Sequence, residues 1–218
     1  MNLHEHGAAH LPGAAAPFLD ALEAVAAGLP ADQAGIRLHG VPGLAELLGP
    51  GALGAIAAGR IGAAARPVRA ILFDKSAAAN WALGWHQDRT IAVRARAAVS
   101  GFGPWSRKQG MQHVEPPFAL IEAMLTIRIH PDAVDGGNAP LLIAPGSHRL
   151  GRIAEADIDA VLARCGTRAC LAARGDVWLY ATPILHASAS AALPGHRRVL
   201  QVDYSAQVLP LPLEWLGI

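Results

Sequence analysis

The sequence predicts a mainly β protein, an antiparallel sandwich or barrel with helices flanking it near the start of the chain. Three observations carry this. Residues 1–65 follow helical periodicity, and short β-capable runs recur from residue 66 to about residue 210. Turn signals separate those runs: Asp135-Gly136-Gly137-Asn138, Pro145-Gly146-Ser147, Gly175-Asp176 and Leu193-Pro194-Gly195. Helices followed by about eight short strands leave few architectures, a jelly roll among them. At 218 residues the whole chain, 1–218, is expected to form one domain.

The elements follow in order. Over residues 17–28, Phe18, Leu22 and Val25 fall at helical spacing and Gly28 is the stop. Residues 36–38 suit a short strand. Residues 44–48 and 52–60 read as two short helices parted by Gly49-Pro50-Gly51. Residues 68–73 (VRAILF) are apolar and β-capable, and in residues 90–98 Ile91, Val93 and Ala95 alternate as in a half-buried strand. Further strands are expected over residues 124–129, 141–143, 176–180, 184–188 and 199–204, with a helix over 154–164. Residues 101–117, with glycine, proline and scattered polar groups, read as a long loop, the kind of segment that often serves as a lid.

Composition narrows the function classes. With 52% apolar and 16% charged residues, the chain is too hydrophobic for disorder. A net charge of +1 gives no electrostatic footprint for nucleic acid. No apolar run reaches the roughly 18 residues of a membrane span. Residues 1–10 lack the basic and apolar regions of a secretory signal, so a cytoplasmic location is expected. Cys165 and Cys170 are too few for a disulfide scaffold and are expected as free thiols.

The chemistry sits in Trp85-His86-Gln87-Asp88. At the end of a strand, His86 and Asp88 project to one face, because side chains alternate with period two. An imidazole and a carboxylate aimed at one spot are two corners of the 2-His-1-carboxylate triad that holds iron(II) and leaves the opposite side open. The same three letters also describe an ordinary hydrogen-bonded histidine beside a surface aspartate. His186, in the apolar run 184–188, is the best third ligand; a satisfied core histidine is the alternative. If the next strand returns as a hairpin, Arg197 and Arg198 open it close to Ser188. An arginine fork clamps a carboxylate, and a serine hydroxyl adds a donor.

Taken together the landmarks are specific: Phe73-Asp74-Lys75, Asn80-Trp81, Gly84-Trp85-His86-Gln87-Asp88, Pro145-Gly146-Ser147-His148, Gly175-Asp176, Leu185-His186-Ala187-Ser188 and His196-Arg197-Arg198. In type and order they resemble the phytanoyl-CoA dioxygenase family of iron(II)/2-oxoglutarate oxygenases, over most of the chain. The resemblance implies a double-stranded β-helix, cupin-like, with the N-terminal helices buttressing one sheet. It implies iron(II) held by His86, Asp88 and His186, which are also the catalytic centre. It implies 2-oxoglutarate as cosubstrate, its distal carboxylate on Arg197 with Ser188 assisting, and molecular oxygen as oxidant. The family's spacing favours Arg197 over Arg198. The implied reaction hydroxylates or otherwise oxidises an unactivated C–H bond of a small organic substrate, releasing succinate and carbon dioxide. Asp88 argues against halogenation, since halogenating relatives lack that carboxylate. The chain is short for the family and has no recognisable CoA-binding element, so the family name assigns no substrate; the apolar loop residues and the lack of a basic patch favour a small, not highly anionic one.

Other residues are less decisive. His4, His6 and His10 form a metal-like cluster in a terminus expected to be disordered. His148 reads as a turn or rim residue, and Trp105 and His113 either touch substrate or pack the loop. Lys75 and Asn80 are candidates for cosubstrate contact, while Trp85 and Trp178 read as core aromatics. Two other readings stand beside the oxygenase. A cupin-like isomerase or hydrolase would use the three ligands but no carboxylate clamp, and a binding protein would need neither.

Overall fold

The computed structural model describes every residue except 31, 32, 34 and 194. In chain order the strands are β1 Ala8–Leu11, β2 Ile36–Leu38, β3 Arg66–Lys75, β4 Leu83–His86, β5 Ile91–Val93, β6 Trp105–Lys108, β7 Met111–Val114, β8 Leu125–Ile129, β9 Leu141–Ile143, β10 Arg168–Cys170, β11 Val177–Ala181, β12 His186–Ser188 and β13 Arg197–Ser205. A six-stranded sheet has the order β1-β11-β8-β13-β3-β2, and a four-stranded sheet the order β10-β9-β12-β4. A small three-stranded sheet, β5-β7-β6, lies apart. This is the jelly roll that the residue pattern allows and the resemblance implies.

The larger sheet divides its side chains by the strand alternation. Leu125, Ile127 and Ile129 of β8, Leu200, Val202 and Tyr204 of β13, and Ala70 and Leu72 of β3 form one apolar face. Onto it pack Leu22 from the helix Leu19–Ala27, Leu44 and Leu47 from Leu44–Leu47, and Ala57 from Gly54–Ile61. The predicted N-terminal helices thus do buttress this sheet. The other face looks toward the four-stranded sheet, and there Trp178, Tyr180 and Val199 meet Leu141, Ile143 and Cys170. The helix Ile158–Cys165 covers a separate cluster that includes Val161, Ala144 and Leu185.

Four expectations need correction. Residues 101–117 are not a plain loop: β6 and β7 form a hairpin closed by Gln109-Gly110, both at positive φ (47° and 81°), as a tight two-residue turn requires. The residue pair Gln-Gly is a weaker signal for that turn than Asn-Gly, and the flanking residues do not alternate cleanly. The strand expected over 90–98 stops at Val93. The N-terminus is not loose, because β1 pairs with β11 from Ala8↔Tyr180 to Leu11↔Val177. Nor do β12 and β13 form a hairpin: β12 pairs with β4 and β9, β13 with β3 and β8, and the chain crosses between sheets. Of the turn expected at 193–195, Pro194 lies outside the described residues. Among the described residues no helix is long and apolar enough to cross a membrane.

Ile127 is fully buried on the helix-facing side, between Leu179 and Val202. Truncation there leaves a cavity that flanking strands cannot close, so Ile127→Ala is expected to lower stability by about 2–5 kcal/mol. Urea unfolding measures it, and a loss under about 1 kcal/mol would contradict this packing.

Candidate metal centre

Two antiparallel strands bring the histidines together. His86 ends β4, His186 begins β12, and the two are direct cross-strand partners. Their ring centroids are 4.3 Å apart, with the planes tilted by 56°. His86 Nδ1 lies 2.8 Å from the Gly84 carbonyl, and His186 Nδ1 lies 2.9 Å from that of Ile184. A carbonyl only accepts, so in each ring Nδ1 carries the hydrogen and Nε2 keeps its lone pair. Burial pushes His186 down to about 4, leaving it neutral at physiological pH, the form a metal needs.

Asp88 completes the group. Its Oδ1 lies 3.3 Å from Arg69 Nη2, while Oδ2 is buried with no hydrogen-bond partner. Burial alone would raise its pKa, but Arg69, and then His186 and His86, outweigh it and hold the carboxyl at about 2. As placed, Asp88 is drawn to Arg69, and among the described residues no three His, Cys, Asp or Glu groups form a closed ligand cluster. The donor set fits a divalent metal even so: two oriented lone-pair nitrogens and an orphaned carboxylate oxygen border one cavity.

Arg69 is itself a hub. Its Nε donates to Asp203 Oδ2, and Asp203 Oδ1 accepts from Thr126 Oγ1 at 3.0 Å. Gln87, between His86 and Asp88, is turned onto the backbone instead. Its Nε2 donates to the Pro183 carbonyl at 2.7 Å, and its Oε1 accepts from the Ile153 amide at 2.8 Å. The end of β4 is thereby tied to the segment leading into β12.

The cavity has a volume of about 410 Å³. Arg197 borders it, 2% exposed, and Arg198 faces the other way onto Asp132 and Glu23. Arg197 Nη2 donates to the Ala139 carbonyl at 3.1 Å, and its Nε is buried without a partner. Arg128 Nη1 donates to Gln201 Oε1 at 2.7 Å, and its Nε is orphaned too. Burial, then the nearby Arg128 charge, lowers Arg197 to about 10. Among the described residues neither guanidinium forms an ion pair, so the cavity holds uncompensated positive charge. Lys75 spends its three N–H bonds on the carbonyls of Trp81 and Ala189 and on Ser188 Oγ, 3.0 Å away. Ser188 Oγ therefore accepts from Lys75 and has its own hydrogen free to donate into the cavity.

The remaining sequence candidates scatter. Asn80 exchanges hydrogen bonds with the Ala191 backbone and serves the fold. His10 pairs with Asp176 at 2.8 Å and stacks on Trp178 at 4.8 Å, so the N-terminal histidines form no cluster. His113, Trp105 and His148 do not border the cavity. Arg69, Arg128 and Asp203 escaped the sequence reading, although a charge inside an apolar strand such as VRAILF or LTIRI was a usable signal.

Residues 54–199 match the family model described as phytanoyl-CoA dioxygenase (PhyH), about two thirds of the chain. The chain belongs to the phytanoyl-CoA dioxygenase family. As a family member it is, by class, a 2-oxoglutarate-dependent non-haem iron dioxygenase. No curated protein matches it. Solved structures share the family fold. EctD from S. alaskensis, with 2-oxoglutarate and 5-hydroxyectoine, aligns at a TM-score of 0.69 and 18% identity over 99% of this chain and 77% of that one. HygX from Streptomyces hygroscopicus, with nickel and 2-oxoglutarate bound, aligns at 0.59 and 15% identity over 93% and 84%. SnoK, a non-haem α-ketoglutarate-dependent carbocyclase from nogalamycin biosynthesis, aligns at 0.61 and 18% identity over 93% and 80%.

Removing the charge at Arg69 strands Asp203 in the interior. Arg69→Met is expected to cost about 3–5 kcal/mol in urea unfolding, with Arg69→Lys costing less. Wild-type stability in Arg69→Met would show that this pair does not hold the sheet.

Proposed function

We propose that His86, Asp88 and His186 hold iron(II), and that Arg197 with Ser188 receives the distal carboxylate of 2-oxoglutarate. The enzyme then oxidises a C–H bond of a small organic substrate, by hydroxylation or a related step, with release of succinate and carbon dioxide. One observation carries the reading: two imidazoles with matched lone pairs share a cavity with a buried, unpaired arginine. A cupin-like isomerase or hydrolase would have no use for that arginine.

Iron, when bound, supplies activation of oxygen and of the keto acid. The chain supplies the rest. The Gly84 and Ile184 carbonyls fix the tautomers and aim both rings. Arg69 holds Asp88 ionised, ready to ligate without first losing a proton. Arg197 meets the distal carboxylate as a fixed fork, and Lys75 turns Ser188 into a donor toward it. Apolar walls from Ile71, Phe73, Leu83 and Leu141 exclude water from the reacting centre.

Under argon, iron(II) and 2-oxoglutarate together are expected to give a weak visible charge-transfer band. His186→Ala abolishes it, and Arg197→Ala raises the 2-oxoglutarate Kd by about 10- to 100-fold, the worth of a lost charged hydrogen bond. No band from folded, iron-loaded wild type would sink the cosubstrate assignment, and full turnover by Arg197→Ala would favour the isomerase or hydrolase.

Lys75 gives a pH test. Burial, then Arg197 and Arg128, lower it to about 8. A bound dianion favours the protonated amine, so above that pH binding must take up a proton and affinity falls. Titrations across pH 7–9, below the range in which Arg197 loses its proton, are expected to show the decline from about 8 in wild type and its absence in Lys75→Met. Identical profiles would remove Lys75 from cosubstrate binding.

A further inference from the structure

The cosubstrate does not account for all the positive charge that borders the cavity. Its distal carboxylate answers Arg197 and Arg128, and Asp203 answers Arg69. Lys75 and Arg89, which also border it, are held by backbone carbonyls, of Trp81 and Ala189 for Lys75 and of Ile153 for Arg89; Arg37 and Lys108 are left over. Arg37 lies on β2 directly beside Ile71, whose side chain lines the cavity, and Lys108 ends β6. Both border the same cavity as His86 and Asp88. Arg37 Nε is buried and has no hydrogen-bond partner. Among the described residues neither side chain is paired with a carboxylate.

The placement is built. Gln109, at the tip of the β6–β7 hairpin, accepts from the Arg37 amide at 2.8 Å and donates to the Gly35 carbonyl at 2.7 Å. One side chain thus bolts the hairpin to the sheet edge and holds the two cations on either side of that joint. Burial lowers the pKa of both, and each also feels Arg69 and Asp88. The register places Arg37: along the cavity face of β3 run Arg69, Ile71, Phe73 and Lys75, with Arg37 opposite Ile71, beside the Arg69 that contacts Asp88, and Arg197 opposite Lys75 at the far end.

Resting on the reading above, we propose that Arg37 and Lys108 receive an oxyanion of the substrate, a carboxylate or a phosphate, and so place the carbon to be oxidised at the metal. The substrate is then a small anion, contrary to the weakly charged molecule expected from the sequence. Two cations fixed by a hairpin give a bidentate seat that a neutral molecule would leave unsatisfied.

The test uses iron(II)-loaded protein saturated with 2-oxoglutarate under argon, titrated calorimetrically with propionate, with inorganic phosphate and with propionamide. One or both anions are expected to bind one to one, and propionamide not at all. Arg37→Gln/Lys108→Gln should weaken anion binding by about tenfold or more, with 2-oxoglutarate affinity and melting temperature unchanged. Binding of propionate alone identifies a carboxylate substrate, and of phosphate alone a phosphorylated one. No anion binding, or equal binding by the double variant, overturns the proposal. Failure of the cosubstrate reading is separate, since it appears as a missing charge-transfer band. In that case Arg197→Gln protein, with the cosubstrate clamp removed, still reports whether anions bind at Arg37 and Lys108.

Discussion

Strands β3, β8 and β13 carry opposite chemistry on their two faces, and the site exists because the pleat keeps those faces apart. Ala70, Leu72, Ile127, Leu200 and Val202 seat the helices, while Arg69, Lys75, Arg128, Arg197 and Gln201 point into the cavity. A slip of one residue in any of these pairings would exchange the sets, burying guanidinium groups under helices and opening leucines to the cavity. The helix-side packing therefore fixes the register, and the register places the chemistry.

Charge is the second organising feature. Burying several cations in one sandwich is unfavourable unless each is answered, and the answers differ. Arg198 is answered on the outer face by Asp132 and Glu23, and Arg69 is answered inside by Asp203 with Asp88 beside it. Arg197 and Arg128 have only neutral acceptors. The cosubstrate clamp proposed above rests on that inequality, which is visible without any ligand. Arg37 and Lys108 also border the cavity without a carboxylate partner among the described residues, and Arg37 Nε is buried with no partner.

The metal side combines rigidity with an open contact. Both histidines are held through backbone carbonyls two residues earlier, and Gln87 anchors the turn between His86 and Asp88. Asp88 alone is shared, one oxygen on Arg69 and one without a partner. In the proposed metal site this carboxylate is already ionised, and a cation would compete with Arg69 for it.

The fold class, the helical support and most strands were legible because each depends on local periodicity: Leu22 and Val25 repeat as a helix does, and Leu200, Val202 and Tyr204 as a strand does. The His-x-Asp pair was legible as well, because period two sends both side chains to one face; period two put Arg197 and Arg198 on opposite faces, and only the family resemblance favoured Arg197. The β6–β7 hairpin was not legible, because Gln109-Gly110 is a weak turn signal and its flanks do not alternate cleanly; the pairing of β1 with β11 and the crossing between β12 and β13 were not, since each is set by a partner distant in sequence. The same holds for Arg69 between two carboxylates and for Arg37 beside Lys108. Sequence by itself determined which side chains each strand presents to each face. Only the tertiary structure decided which charges meet a counter-charge, because an ion pair depends on distances across sheets that no local pattern encodes.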